Sequence, residues 1–119
     1  MRARGAPSLA RDGLVLAVSG LPRATFVLYV QGTALAAGGA GSPLHDGLQC
    51  VGGELVRIGV KSANGKSQYP DPGELSLSVR GGVRGTGGLR TYQAIYRNVS
   101  GPCGTRANTS NGVAVIWSL

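Results

Sequence analysis

Short runs of alternating apolar and polar residues constrain the fold of this chain more than any other feature of its sequence. A period of two residues is typical of β-strands, and no segment carries the 3.6-residue period of a capped helix. Glycine, proline or asparagine residues bound most of the runs, as expected where strands meet turns. We therefore predict an all-β fold. The alternating runs are residues 14–18, 26–31, 56–61, 75–79, 92–97 and 113–117.

The spacing of these runs predicts the architecture. About six to eight short strands, with a turn every 8–12 residues, indicate a single antiparallel β-sandwich of jelly-roll or Ig-like type. The 119 residues suit one domain over positions 1–119, with residues 1–12 as a segment that could be flexible. Residues 75–79 form the clearest half-buried strand. Residues 113–117 are apolar on both faces, so we expect both faces of that strand to be covered, by the sandwich or by a neighbouring subunit.

Two isolated cysteines, Cys50 and Cys103, lie among glycine and proline residues typical of loops. The chain has no CxxC pair and a single histidine, so metal binding by these cysteines is not indicated. We predict one structural disulfide and, from it, a secreted or cell-surface protein. Residues 1–7 do not begin a signal peptide, so this location implies a signal already removed or a domain excised from a longer chain. A cytosolic protein with reduced thiols remains an alternative.

The net charge of +7 favours acidic partners. We expect an anionic polysaccharide of the cell envelope or matrix, or a second copy of the chain. Nucleic acid is not the expected partner, because the arginine- and glycine-rich residues 80–90 lack the aromatic side chains that stack on bases. No apolar run is long enough to cross a membrane as a helix. A basic surface that only keeps the chain soluble is the simpler alternative.

No set of residues predicts catalysis. His45 and Asp46 are the only histidine–acid neighbours, and no Gly-x-Ser-x-Gly sequence presents a nucleophile to them. Asp46 and Glu54 flank the Cys50 loop, but calcium needs more oxygen ligands than these two supply. We therefore predict no enzyme activity, no cofactor and no metal. Asn98 and Asn108 begin N-glycosylation sequons in predicted loops, which matter only in a host that uses them.

Aromatic and arginine residues supply the candidates for ligand contact. Aromatic rings can stack on the apolar faces of sugars, and arginine can bind their polar groups. Such aromatic residues belong more often to the core or surface of a β-sheet than to a sugar platform. The candidates are Tyr29, Arg57, Tyr92, Tyr96, Arg97 and Trp117.

Three stretches, residues 20–33, 46–58 and 92–113, together resemble a known kind of domain. They are similar to the β-rich C-terminal domains of large secreted or surface proteins of environmental bacteria. The resemblance covers nearly the whole chain and implies a β fold outside the cell, but it carries over no catalytic residues. His45 and the arginine-rich residues 81–90 depart from the pattern of those domains.

These observations favour a non-enzymatic extracellular module with a structural or adhesive role, able to assemble with copies of itself. The alternative is a carbohydrate-binding module of a secreted bacterial protein. A sugar platform would need exposed aromatic rings, whereas a self-assembling module would need an uncovered apolar strand face.

Overall fold

The computed structural model describes residues 1–36, 41–44, 47–83, 87–97 and 107–118. These residues form a mostly antiparallel β structure, as the alternating runs predict, together with one short helix that they do not predict. The elements, in chain order, are β1 (Arg2–Arg4), β2 (Val15–Val18), β3 (Thr25–Gly32), β4 (Ala34–Leu35), β5 (Ser42–Leu44), β6 (Gly47–Gln49), β7 (Val51–Gly52), β8 (Val56–Ala63), β9 (Ser67–Tyr69), α1 (Leu77–Arg80), β10 (Gly88–Arg97), β11 (Ala107–Thr109) and β12 (Val113–Trp117).

A three-stranded sheet has the order β1-β2-β9, with all pairs antiparallel. Its strands alternate between two faces, as a period of two requires. Ala3, Leu16 and Tyr69 share one row of the register and face the core. The first strand belongs to residues 1–12, which the sequence sets apart as a segment that could be flexible.

A five-stranded sheet has the order β11-β10-β3-β8, and β12 pairs with β10. Both β11 and β12 pair with β10 along different stretches, Ile95–Arg97 and Gly88–Tyr92 respectively. The register between β3 and β8 shifts between Tyr29 and Val30, which indicates a β-bulge. Two small pairs, β4 with β7 and β5 with β6, complete the strands of the described residues.

One hydrophobic core joins the two larger sheets. The three-stranded sheet contributes Leu16 and Tyr69, and the five-stranded sheet contributes Tyr29 and Trp117. The Tyr29 and Tyr69 rings meet with their centroids 5.9 Å apart, and the Tyr29 hydroxyl donates a hydrogen bond to Ser67 Oγ at 2.7 Å. Contacts between aromatic rings at such a distance add to the stabilisation from buried area alone. The other buried members include Leu14, Val18, Val27, Ile58, Leu77, Val83, Tyr92, Ala94 and Val115.

The strand predicted at residues 75–79 is wrong, because the chain forms α1 there. Leu77 and Ser78 are consecutive and both fully buried, which an alternating strand with one wet face does not allow. Leu75 and Val79, which the alternation grouped with Leu77, are instead exposed. Contacts with a residue distant in the sequence help to hold the helix: the hydroxyls of Ser76 and Ser78 both donate to Asp12 Oδ2, at 2.6 and 2.7 Å.

The C-terminal strand predicted at residues 113–117 is confirmed as β12. Its inner face is covered, since Val115 and Trp117 are buried. The expectation that the sandwich covers both faces is wrong among the described residues, because Ile116 on the outer face is 72% exposed. The second option, a neighbouring subunit on this face, stays a prediction.

Cys103, the predicted partner of Cys50, lies outside the described residues, so the disulfide stays a prediction. No helix formed by the described part of the chain is long and apolar enough to cross a membrane.

Candidate functional site

A groove of about 760 Å³ lies on the outer face of the three-stranded sheet. Four basic residues and one acidic residue, Asp71, line it. Serine and glutamine side chains make up much of the remaining wall. The groove is therefore polar and positively charged. Its basic residues are Arg2, Arg4, Lys61 and Lys66.

The strand register explains the floor of the groove. Arg2 lies opposite Ala17, and Ala17 lies opposite Gln68, so the three form one row across β1, β2 and β9. The small side chain of Ala17 leaves space between the two longer ones. Arg4 lies on the same face as Arg2, two residues and roughly 7 Å further along the strand. Its guanidinium donates to Gln68 Oε1 at 2.5 Å.

Lys61, on β8 of the other sheet, forms one wall. Its ammonium group donates hydrogen bonds to Asp71 Oδ2, to Glu74 Oε1 at 2.6 Å and to the Gln68 carbonyl at 2.7 Å. It also lies 5.6 Å from the centre of the Tyr69 ring. Gln68 Nε2 donates to the other Asp71 oxygen at 2.9 Å. This network joins β8 to the turn that follows β9.

The same network determines the protonation states of its three charged side chains. The Lys61 hydrogen bond lowers the pKa of Asp71 and the pKa of Glu74, so both carboxylates are ionised at neutral pH. Burial alone would lower the pKa of Lys61, but its hydrogen bonds to Asp71 and Glu74 outweigh that effect and raise it. The single positive charge of Lys61 therefore offsets part of the negative charge of these two carboxylates.

Three basic side chains of the groove are left to act on a ligand. Arg2, Arg4 and Lys66 are exposed, and none forms an ion pair with another described residue. Guanidinium groups bind carboxylate, sulfate and phosphate groups through paired hydrogen bonds, and an ammonium group adds a point charge. The groove can therefore hold a chain that carries repeated anionic groups.

The structure does not assemble the predicted aromatic contacts into a surface. Tyr29, Tyr92 and Trp117 are buried in the core, with at most 2% of each residue exposed. Tyr96 is half-buried and packs against the same core. These rings cannot stack on a sugar in solution without opening the core. The alternation of these residues along the strands could not show which face of the sheet is exposed to solvent.

The two predicted arginines lie apart. Arg57 is exposed on β8 and lines neither the groove nor a second, smaller cavity beside Phe26. Arg97 is exposed at the end of β10 and lines the smaller cavity. The groove residues Arg2, Arg4 and Lys66 are not among the sequence-based candidates, because only strand pairing brings them together. Their sole sequence signal is the overall positive charge.

Several other predicted features fall outside the described residues. His45, Asp46 and Asn98 lie there, so the histidine–acid pair and the calcium site are not placed. Asn108 lies in β11 and not in a loop. Within the described residues, no group of three or more His, Cys, Asp or Glu side chains could hold a metal ion.

Comparisons with protein-family models, with curated proteins and with solved structures find no match to this chain.

Proposed function

We propose that this protein is a non-enzymatic adhesive module that binds anionic polysaccharide of a cell envelope or matrix through its basic groove. The observation that carries the proposal is the set of three exposed basic side chains, Arg2, Arg4 and Lys66, in one groove and without acidic partners among the described residues. A jelly-roll or Ig-like β-sandwich and a secreted or cell-surface location are parts of the same proposal.

The shape of the groove supports an extended ligand. It opens to solvent along a sheet face, and its floor is a strand row and not an enclosed pocket. Gln68 and serine side chains offer hydrogen bonds to sugar hydroxyls. A polymer with anionic groups spaced at several ångströms would meet Arg2 and Arg4 in succession. The net charge of +7 adds long-range attraction to such a polymer.

A matched pair of double variants tests the proposal. Arg2→Ser with Arg4→Ser removes two groove charges, whereas Arg11→Ser with Arg57→Ser removes two exposed charges elsewhere. Both variants have the same net charge, so long-range attraction is equal. We expect dextran sulfate to bind the parent and uncharged dextran not to bind. The groove variant should weaken dextran sulfate binding at least about tenfold, the effect of one lost charge-assisted contact.

Two results would overturn the proposal. Equal weakening by the two double variants would mean that diffuse charge, and not the groove, attracts the polymer. Tighter binding of a DNA duplex than of dextran sulfate, lost in the groove variant, would assign the groove to nucleic acid.

Self-assembly is a second candidate, favoured by one apolar pair. Leu89 and Ile116 are opposite each other on β10 and β12 and are 40% and 72% exposed. Exposed apolar area on a sheet face is a frequent site of association. Sedimentation of the parent and of Ile116→Lys tests this candidate. We expect the parent to associate at high concentration and the variant to stay monomeric. A monomeric parent would remove this candidate.

A further inference from the structure

A second cavity, of about 210 Å³, lies around the exposed side chain of Phe26. Pro22, Arg23 and Arg97 also line it. The Thr25 hydroxyl donates to the Arg97 carbonyl at 2.8 Å and so fixes the end of β10 beside the start of β3. Two guanidinium-bearing residues therefore flank one aromatic residue.

Phe26 is unusual among the aromatic residues of this chain. It is 61% exposed, whereas the tyrosines and the tryptophan are buried or half-buried. Burying a phenylalanine side chain in its own core would stabilise the fold by about 1.5–3 kcal/mol. This position instead leaves an aromatic face open to solvent, where it is available to a ligand with an apolar face.

The charges around Phe26 are also unmatched. Arg23 and Arg97 are exposed, and neither forms an ion pair with another described residue. The planar guanidinium group pairs best with a planar carboxylate, through two parallel hydrogen bonds. The cavity thus offers an aromatic face and carboxylate-binding groups side by side.

The cavity adjoins the basic groove. Phe26 lies directly opposite Ser62 in the register of β3 and β8, and Ser62 lines the groove. Residues opposite each other in antiparallel strands lie about 5 Å apart. Hydrogen bonds from Leu21 N to the Gly65 carbonyl at 2.9 Å, and from Gly65 N to the Pro22 carbonyl at 3.3 Å, hold the neighbouring turns together. Lys61 of the groove lies opposite buried Val27, whereas Phe26 and Ser62 lie on the other face of these strands. Because β8 is an edge strand, an extended ligand that crosses this edge could contact both sites.

We propose that the Phe26 cavity is a subsite for a single uronic-acid residue of the polysaccharide, an inference that rests on the proposed function of the groove. The sugar ring packs its apolar face on Phe26, and its carboxylate pairs with Arg23 and Arg97. The cavity measures about 210 Å³, less than the roughly 300–1,000 Å³ of cavities for drug-sized ligands. It therefore suits a single sugar ring. Single-stranded nucleic acid fits less well, because it is held by successive aromatic side chains and this surface offers one.

The subsite predicts a preference that charge alone does not give. Polygalacturonate carries a carboxylate on each ring, its methyl ester has the same rings without the charge, and dextran sulfate has charge without uronic acid. We expect Phe26→Leu to weaken polygalacturonate binding roughly tenfold while it leaves dextran sulfate binding within about twofold. The double variant Arg23→Gln with Arg97→Gln should reduce the preference for polygalacturonate over its methyl ester to the part that the groove and the remaining net charge supply, whereas Phe26→Leu should weaken the binding of both polymers. Arg57→Gln is the control.

The outcomes separate the subsite from the groove. If the groove variant loses dextran sulfate but Phe26→Leu binds polygalacturonate as the parent does, the subsite is wrong and the groove stands. If dextran sulfate does not bind, yet digalacturonate shifts the NMR signals of the Phe26 ring, the groove is wrong and the subsite stands. Phe26-dependent binding of oligothymidylate, tighter than that of polygalacturonate, would overturn the subsite. An unchanged melting temperature for Phe26→Leu shows that the variant is folded.

Discussion

Trp117 and Tyr92 share a hydrogen bond inside the core: the indole Nε1 donates to the Tyr92 hydroxyl at 2.9 Å. The Tyr92 hydroxyl in turn donates to Gln31 Oε1 at 2.9 Å, and Gln31 Nε2 donates to the Gly81 carbonyl at 2.8 Å. Burial raises the pKa of Tyr92 to about 12, so the hydroxyl keeps the proton that it donates. The chain of bonds joins β12, β10, β3 and the end of α1 with each of these buried groups satisfied.

Replacing Tyr92 with phenylalanine should destabilise the fold. The change leaves the Trp117 N–H and Gln31 Oε1 buried without this partner, and each unsatisfied group costs about 1–3 kcal/mol. We expect a loss of about 2–4 kcal/mol in the free energy of unfolding, measured by urea denaturation. Tyr96→Phe, at a half-buried ring, is the control and should cost less than about 1 kcal/mol. Equal effects in the two variants would contradict the network.

Gly81 should not tolerate a methyl group. Its backbone is in the ordinary helical region, so alanine is conformationally allowed. A Cβ atom there would overlap Gln31 Oε1 and lie 2.7 Å from Gln31 Cδ. Gly81→Ala should therefore displace Gln31 and lower the melting temperature. Gly13→Ala is the matched control, because a Cβ atom at Gly13 meets open space. A Gly81→Ala variant as stable as Gly13→Ala would contradict this packing.

The Lys61 network predicts an acid-dependent stability. Lys61 lowers the pKa values of Asp71 and Glu74 below their ordinary values of 3.8 and 4.5. Their contribution is therefore complete above those ordinary values and is lost as pH falls through the lower, folded-state values. The effect is modest, since both carboxylates are more than a third exposed.

Lys61→Met tests that sign. Its melting temperature should fall less steeply than that of the parent between about pH 5 and about pH 2.5. Lys66→Met should keep the slope of the parent, because Lys66 forms no ion pair with another described residue. Identical slopes for all three proteins would contradict the role of Lys61.

The structure shows the surroundings of Cys50, one of the two cysteines of the predicted disulfide. Cys50 is half-buried, its N–H donates to Gln93 Oε1 at 2.8 Å, and it follows β6, which lies against β11. Cys103 precedes the start of β11 by four residues, a length of chain that spans at most about 14 Å. Cys103 lies outside the described residues, so the bridge itself stays a prediction.

A protein made in an oxidising compartment should show this bridge directly. Its intact mass should lie two hydrogens below that of the reduced chain, with no thiol open to alkylation after denaturation. Cys103→Ser should lower the melting temperature by more than about 10 °C, from the entropy of the closed loop. Two alkylated cysteines in such a preparation would contradict the disulfide and the extracellular location inferred from it.

Five of the six alternating runs form strands of the described residues, but sequence periodicity could not predict the shorter strands or the groove. Alternation at residues 14–18 and 113–117 located β2 and β12, because a half-buried strand must alternate. The groove depends on pairing: Arg2 meets Gln68 only through Ala17, and alternation contains no information on which strands pair. The helix α1 was missed because distant Asp12 helps to hold it. Phe26 was missed because alternation does not say which face is wet.

The most direct test of the basic groove is the location of the bound polysaccharide. A ¹⁵N–¹H NMR titration with a short sulfated or uronic-acid oligosaccharide reads this at every amide. We predict the largest shifts at Arg2, Arg4, Ala17, Lys66 and Gln68, with smaller shifts at Phe26 and none at Arg57. Saturable shifts centred on Arg57, or on the face with Leu89 and Ile116, would contradict the groove as the binding site.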